Sequence, residues 1–289
     1  MLSFYNPTTI KTKIMTSAVS KFFPIIILIF SCSFYTKSTQ AQPVRIAIVI
    51  DDIGYRYTDK HALSLPGAIT YSILPHTPYG KRIAIKANAN HKDVMLHIPM
   101  EAENGKKLGP GALTSTMNRE EIIASLSASL AEVPFAIGIN NHMGSHLTQL
   151  DAPMTWTMNF LKQHHLLFLD SKTSPYSKAG SIAELVGVPV KNRHVFLDNH
   201  LTDSYINKQF QQLINHAKSQ KVAIAIAHPH PETIQALKRL IPTLAKAAVA
   251  AGCDAVFMEV HDDPENALSD AATQWPLDRL DSLLGSIIK

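Results

Sequence analysis

Three groups of residues in this chain have the types and spacings that do chemistry. Asp51 and Asp52 stand side by side directly after the run 45–50. Adjacent carboxylates at the exit of an apolar strand are costly unless something positive meets them; the bland alternative is a turn, helped by Gly54. His142 and His146 follow the run 135–139 within Asn140-Asn141-His142-Met143-Gly144-Ser145-His146. Residues four apart share one face of a helical turn, with about 5–6 Å between their Cβ atoms, so both imidazoles can reach one ion. His228 ends the run 222–227 and precedes Pro229-His230-Pro231, whose prolines stop a strand. It reads as an acid–base group and His230 as a surface residue.

A carboxylate with two imidazoles suits zinc, and also iron, cobalt or nickel. Three protein ligands leave a position open for water, and zinc-bound water can ionise near neutral pH and attack a carbonyl. Ionisable residues recur at other strand ends: His97 and Glu101, Asp170, Asp198, Glu259 and His261. Each alone is an ordinary cap or a satisfied polar group. Together they place charge at the carboxyl end of nearly every strand, where the active sites of parallel barrels sit.

The elements that must position them alternate. Short apolar runs at 44–50, 68–73, 94–98, 135–139, 166–169, 195–197, 222–227 and 255–258 are rich in Val, Ile, Leu and Ala, as strands buried on both faces are. Between them lie helix signals: Asn118 with Glu121 as a capping box, Asp151 and Pro153 opening a segment to about His164, and Pro231 opening one that ends near Gly252, with a kink expected at Pro242. Leu277, Leu280, Leu284 and Ile287 make a last amphipathic stripe. The segment 101–113, rich in Gly, Pro and Lys, reads as a loop over one face. Such alternation predicts an α/β fold with a mostly parallel sheet, a barrel or a doubly wound stack.

The first 41 residues read as a secretory signal. Lys11, Lys13 and Lys21 precede an apolar run at 22–35, and Thr-Gln-Ala ends at Ala41. The run falls short of the roughly 20 residues of a spanning helix, so export to the periplasm or envelope is expected, without stable membrane insertion after cleavage. Residues 42–289 then form a single domain. The leader's four lysines leave 23 basic residues against 23 acidic ones, so the body has no broad field for nucleic acid, although a local basic patch is compatible with this balance. A composition 46% hydrophobic and 17% charged is that of a globular chain. Cys32 leaves with the signal, and Cys253, among Ala251, Ala255 and Val256, reads as a buried, unpaired thiol.

The ordered motifs Val49-Ile50-Asp51-Asp52-Ile53-Gly54, Leu96-His97-Ile98-Pro99-Met100-Glu101, Asn140 to His146 and Ala227-His228-Pro229 resemble the divergent branch of the polysaccharide deacetylases, over about residues 44–260. The resemblance implies a distorted (β/α) barrel of the NodB-like type that removes N-acetyl groups from polysaccharide or oligosaccharide. It implies Asp51 as catalytic base, Asp52, His142 and His146 as metal ligands with zinc as the ion, and His228 as general acid. The family's base-orienting arginine has no counterpart where it is expected; Asp170-Ser171-Lys172-Thr173 stands there. Three functions are compatible with this reading: a metal-dependent deacetylase of an N-acetylated envelope glycan, a non-catalytic barrel binding a glycan or envelope protein, and another metal hydrolase of peptides or esters.

Overall fold

The computed structural model describes residues 44–250 and two short strand segments, Val260–His261 and Trp275–Pro276. The expected leader and its cleavage site, the run 255–258, Cys253, Glu259 and the stripe from Leu277 to Ile287 lie outside the described residues. Eight strands form one parallel sheet: β1 (Arg45–Ile53), β2 (Ile69–Ile73), β3 (Val94–Met100), β4 (Ala136–Met143), β5 (Leu167–Asp170), β6 (Val190–Asn192), β7 (Val195–Phe196) and β8 (Val222–Ala227). Their order is β6-β5-β4-β3-β2-β1-β8-β7.

The two outer strands of that order are consecutive in the chain. Arg193 donates its backbone N–H to Asp170 of β5, and His194 donates its own to Ile224 in β8, each at 2.9 Å. One extended segment therefore leaves β5 and joins β8 within two residues, which curls the sheet into a distorted barrel. The predicted fold class is the observed one. Sequence reading missed β6, because Val190-Lys191-Asn192 is too short and polar to show a strand period.

Helices α1 (Gly80–Ala89), α2 (Arg119–Glu132), α3 (Asp151–Gln163), α4 (Ala179–Val186), α5 (Asp203–Gln220) and α6 (Pro231–Ala250) carry the crossovers. The capping box is present: Asn118 Oδ1 accepts from the Glu121 N–H at 3.0 Å, and Glu121 Oε2 accepts from the Asn118 N–H at 2.8 Å.

Side-chain alternation divides the strands into two faces. Ile48, Ile50, Leu96, Ile98, Ile139 and Phe168 belong to the main core, together with α-helical residues such as Ile122, Met158 and Phe210. The alternate positions Val49, Met95, Leu169, Ile224 and Ile226 form a smaller buried cluster inside the curl, with Phe196 packed on it. The interior is narrow at β4: a Cβ on Gly138 would lie 2.6 Å from the Leu167 side chain.

Candidate active site at the mouth of the barrel

Two residues beyond each apolar interior position, the same inward face turns polar. Val49 is followed by Asp51, Met95 by His97, Gly138 by Asn140 and His142, Leu169 by Ser171, Phe196 by Asp198, and Ile226 by His228. The barrel thus has an apolar floor, and a ring of ionisable and amide side chains at the carboxyl ends of its strands.

Asp52 breaks the alternation. On a regular strand it would face away from Asp51, but its φ of 57° and a shift of register between Ile50 and Ile53 turn it toward the mouth. Both carboxylates consequently reach His97 Nε2, Asp52 Oδ1 at 3.0 Å and Asp51 Oδ2 at 3.7 Å. Gly54 completes the turn with φ 134°, and a Cβ there would lie 2.2 Å from Thr77 Oγ1. This is the physical reason for glycine in Asp-Asp-Ile-Gly.

Asn140, fully buried, fixes the floor of the ring. Its Nδ2 donates to Asp51 Oδ2 at 3.0 Å and to Ser171 Oγ at 3.1 Å, so its Oδ1 is the acceptor for Ser72 Oγ and for His97 Nδ1 at 2.6 Å. A neutral His97 carries its proton on Nδ1 and turns a bare Nε2 to the mouth. That nitrogen lies 3.2 Å from His142 Nδ1, and His142 Nδ1 lies 2.7 Å from Asp52 Oδ1. Two imidazole nitrogens and a carboxylate oxygen within 4.8 Å of one another can hold a metal ion. Converging lone pairs repel unless a cation lies among them, so the arrangement fits either a divalent ion or a proton.

The charges tell the same story. Burial pushes the Asp51 carboxyl above its ordinary range, against the pull of His97, His228 and Asn140. For Asp52 burial acts upward too, but hydrogen bonds from His142 and His97 outweigh it and hold the group well below the usual carboxylate range. Burial disfavours the His97 cation, yet Asp51 and Asp52 outweigh it and raise the group. Asp51 Oδ1 is buried, and among the described residues it has no hydrogen-bond partner.

On the opposite side stands His228. Its Nδ1 faces Asp198 Oδ1 at 2.9 Å, its backbone N–H donates to Asp198 Oδ2 at 2.7 Å, and Thr233 Oγ1 donates to that oxygen at 2.8 Å. Nε2 is left toward the mouth, 3.9 Å from Asp52 Oδ2. Burial lowers the group, but Asp198 and the two mouth carboxylates raise it to about 9. His230 stands beside it, half-buried, and Asp198, His228 and His230 form a second group able to hold an ion.

The structure brings Asp51, Asp52, His142 and His228 together and adds His97. His146 lies outside the close group. The helical turn expected between the two histidines is not formed: His142 ends in β4, and the chain turns through left-handed Met143 and Gly144. The His146 N–H donates to the Glu101 carbonyl at 3.1 Å. Glu101 is held below its ordinary value by the Ser115 N–H, with a smaller pull from His146. Asp170 is a structural cap, accepting from the Lys172 N–H at 2.8 Å and Ser177 Oγ at 2.7 Å, with Lys172 Nζ at 3.3 Å.

Sequence reading missed Arg193, between β6 and β7. Its Nε donates to the Ser171 carbonyl at 2.6 Å, and its guanidinium lies 3.8 Å from the Phe196 ring centre. Burial lowers it, and the charges of Asp170 and Asp51 act against that. A cation is therefore present on the Asp170–Thr173 side of the mouth, supplied by the segment that joins β6 to β7. The expected loop at 101–113 walls the mouth: a cleft of about 460 Å³ is lined by Tyr55, Leu74, Lys107, Gly109, Pro110 and His142, within the size range of small-molecule sites.

Comparison with known proteins bears on the family and the fold. The profile of a family described as divergent polysaccharide deacetylase matches residues 48–252. The uncharacterized protein YibQ of Escherichia coli strain K12 is 35% identical over 232 residues, covering 78% of this chain and 73% of YibQ. The crystal structure of an uncharacterized protein from Agrobacterium tumefaciens C58 superposes with a TM-score of 0.66 at 25% identity, covering 70% of this chain and 84% of that one. Over 52 residues the chain is 58% identical to 2-dehydro-3-deoxyphosphooctonate aldolase 2 of Arabidopsis thaliana, a match that covers 18% of each chain.

Proposed function

We propose, from the premise that this chain belongs to the divergent polysaccharide deacetylase family, that its barrel mouth hydrolyses the acetamide of an N-acetylated glycan. One observation carries the reading. Asp52, His97 and His142 converge as a metal site beside a buried carboxylate with an unpartnered oxygen on Asp51, opposite an imidazole held by Asp198.

In this reading Asp52 and His142 hold a divalent ion, zinc by its ligand chemistry, with His146 as the third ligand of the family pattern and His97 Nε2 as a further nitrogen in reach. Such an ion, when bound, would supply Lewis acidity at the acetamide carbonyl and lower the pKa of water toward neutrality. The chain supplies the proton transfers. Asp51 Oδ1 accepts a proton from the attacking water, while Asn140 holds the other oxygen in place. Burial makes that carboxyl a better proton acceptor than one in water. His228 gives its Nε2 proton to the amine nitrogen as the C–N bond breaks, and Asp198 keeps the ring turned for it. The products are acetate and a free amine. Export by the N-terminal signal would place this activity in the periplasm or envelope.

A second reading is a metal-containing barrel that binds a glycan or envelope protein without hydrolysis. In its favour, Lys172 pairs with Asp170, and among the described residues Asp51 Oδ1 has no donor to orient it. The test is zinc content and acetate release from a panel of N-acetylated glycans, on wild type and Asp51→Asn. Hydrolysis predicts acetate from the wild type and a loss of at least 100-fold in a variant that keeps its zinc, in line with the 10²–10⁴-fold typical of acid–base groups. Zinc-loaded wild type that releases no acetate would leave the binding reading.

A further inference from the structure

We propose that the hollow between Tyr57 and Tyr79 is a second binding site, taking a sugar that carries an anionic group, phosphate or carboxylate. It has a volume of about 210 Å³ and is lined by Tyr57, Lys60, Tyr79, Arg82, Ile83 and Lys86. That is smaller than the roughly 300–1,000 Å³ of drug-sized sites, so it suits one small unit rather than a long ligand.

The charge is one-sided. Three of its six lining residues are cations and none is an acid. Among the described residues none of these three makes an ion pair with a carboxylate, whereas the neighbouring Lys81 pairs with Glu132 at 3.5 Å. Asp59, next to Lys60 in the chain, is buried and turned away, accepting from the Gly54 and Arg56 N–H groups at 2.9 Å each. What the cations have instead is aromatic faces: Lys60 Nζ is 3.7 Å from the Tyr57 ring centre, and Arg82 is 5.8 Å and 6.0 Å from the centres of Tyr57 and Tyr79. The Tyr57 hydroxyl is held below its ordinary value by Lys60 first, then Arg82 and Lys86, which reports the same positive field. Gathering like charges without a counter-charge is unfavourable, and an anion relieves it.

The tyrosines say what the anion is attached to. Their rings meet edge to face, centres 5.7 Å apart at 67°, so the hollow has two apolar walls in a corner. A sugar ring presents C–H groups on its faces and hydroxyls on its rim, and fits such a corner better than a free ion does. The site also adjoins the mouth through the chain. Tyr55, which lines the mouth cleft, precedes Tyr57 by two residues, and the Tyr79 N–H donates to the Gly54 carbonyl at 3.0 Å. That the anionic sugar belongs to the same glycan as the reacting acetamide rests on the hydrolase reading; that it binds here does not.

The experiment is calorimetric titration of the full chain with glucose 6-phosphate, glucuronate, glucose and inorganic phosphate, at low and high salt. The proposal expects saturable, salt-sensitive binding of glucose 6-phosphate, glucuronate or both, at least 10-fold tighter than glucose or inorganic phosphate; the tighter of the two names the anion. Arg82→Gln and Tyr57→Ala, both exposed positions, each weaken it at least 5-fold. His142→Ala binds as wild type does, whether or not the mouth is catalytic. No binding by either anionic sugar, equal binding of inorganic phosphate, indifference to Arg82→Gln, or loss in His142→Ala overturns the proposal.

Discussion

Asp198 grips His228 twice, accepting the backbone N–H on one oxygen at 2.7 Å and facing Nδ1 with the other at 2.9 Å. The ring cannot turn over without breaking the side-chain contact, so Nε2 stays toward Asp52. The same contact favours the imidazolium, raised from its ordinary 6.5 to about 9. A group raised on folding stabilises the fold fully below its unfolded value, and the contribution is lost as pH rises through the folded one. For His228 that window runs from about 6.5 to about 9. Asp198→Asn is expected to move the alkaline limb of acetate release downward by about a unit or more, and to reduce the stability lost between those pH values. A pH–rate profile and urea unfolding at pH 6 and 9 check this; an unmoved alkaline limb would refute the role.

The ligand set is tested residue by residue. Asp52→Asn and His142→Ala are expected to leave protein without zinc after dialysis. His146→Ala, which removes the third ligand, is expected to do the same, and His97→Ala to weaken zinc by about 10–100-fold, the range for supporting groups. Competition with a chromophoric chelator gives the affinities. A variant that holds zinc as wild type does strikes that residue from the set.

Asn140 makes four side-chain contacts in a fully buried position, to Asp51, His97, Ser72 and Ser171. Asn140→Ala strands several buried polar groups, and a loss on the order of 3 kcal/mol is expected. Urea unfolding of the zinc-free protein measures it, and a loss below about 1 kcal/mol would mean water replaces the amide.

Gly54→Ala meets both a left-handed backbone and the Thr77 hydroxyl. It is expected to cost more than about 1 kcal/mol, as alanine does where φ is positive. Adding Thr77→Ala should recover only part, because φ at 134° is unchanged. Full recovery in the double variant would show that contact, not backbone, requires the glycine.

Much of this was legible because it follows from strand ends. Asp51, Asp52 and His228 close apolar runs, and the runs became β1 and β8. His97 and Asp198 were visible by the same rule, but a single ionisable residue at a strand end has little weight until its neighbours in space are known. The role of Asn140 was hidden, although its position two before His142 puts both on one face of β4. Arg193 left no signal, since its segment joins a three-residue strand to a two-residue one. The turn between His142 and His146 was misread because spacing alone cannot separate a helical turn from a chain reversing through Met143 and Gly144.

The closure of the barrel has a consequence for how the chain acquires its structure. Ile48 is aligned with Ile69 on one side and with Ala225 on the other, so β1 finds one neighbour early and the other only after nearly all of the sheet has been synthesised. Pairing so distant in sequence carries a large loop-closure entropy and sets a slow folding step. Until β8 emerges, one side of β1 is an open template for another chain, and the segment 190–196 has β5 but not its second partner. His228 arrives on that last strand. The side of the mouth that carries His228 is thus built at the moment the sheet loses its exposed edge, and a chain halted before Val222 would have an open edge and an incomplete mouth for one and the same reason.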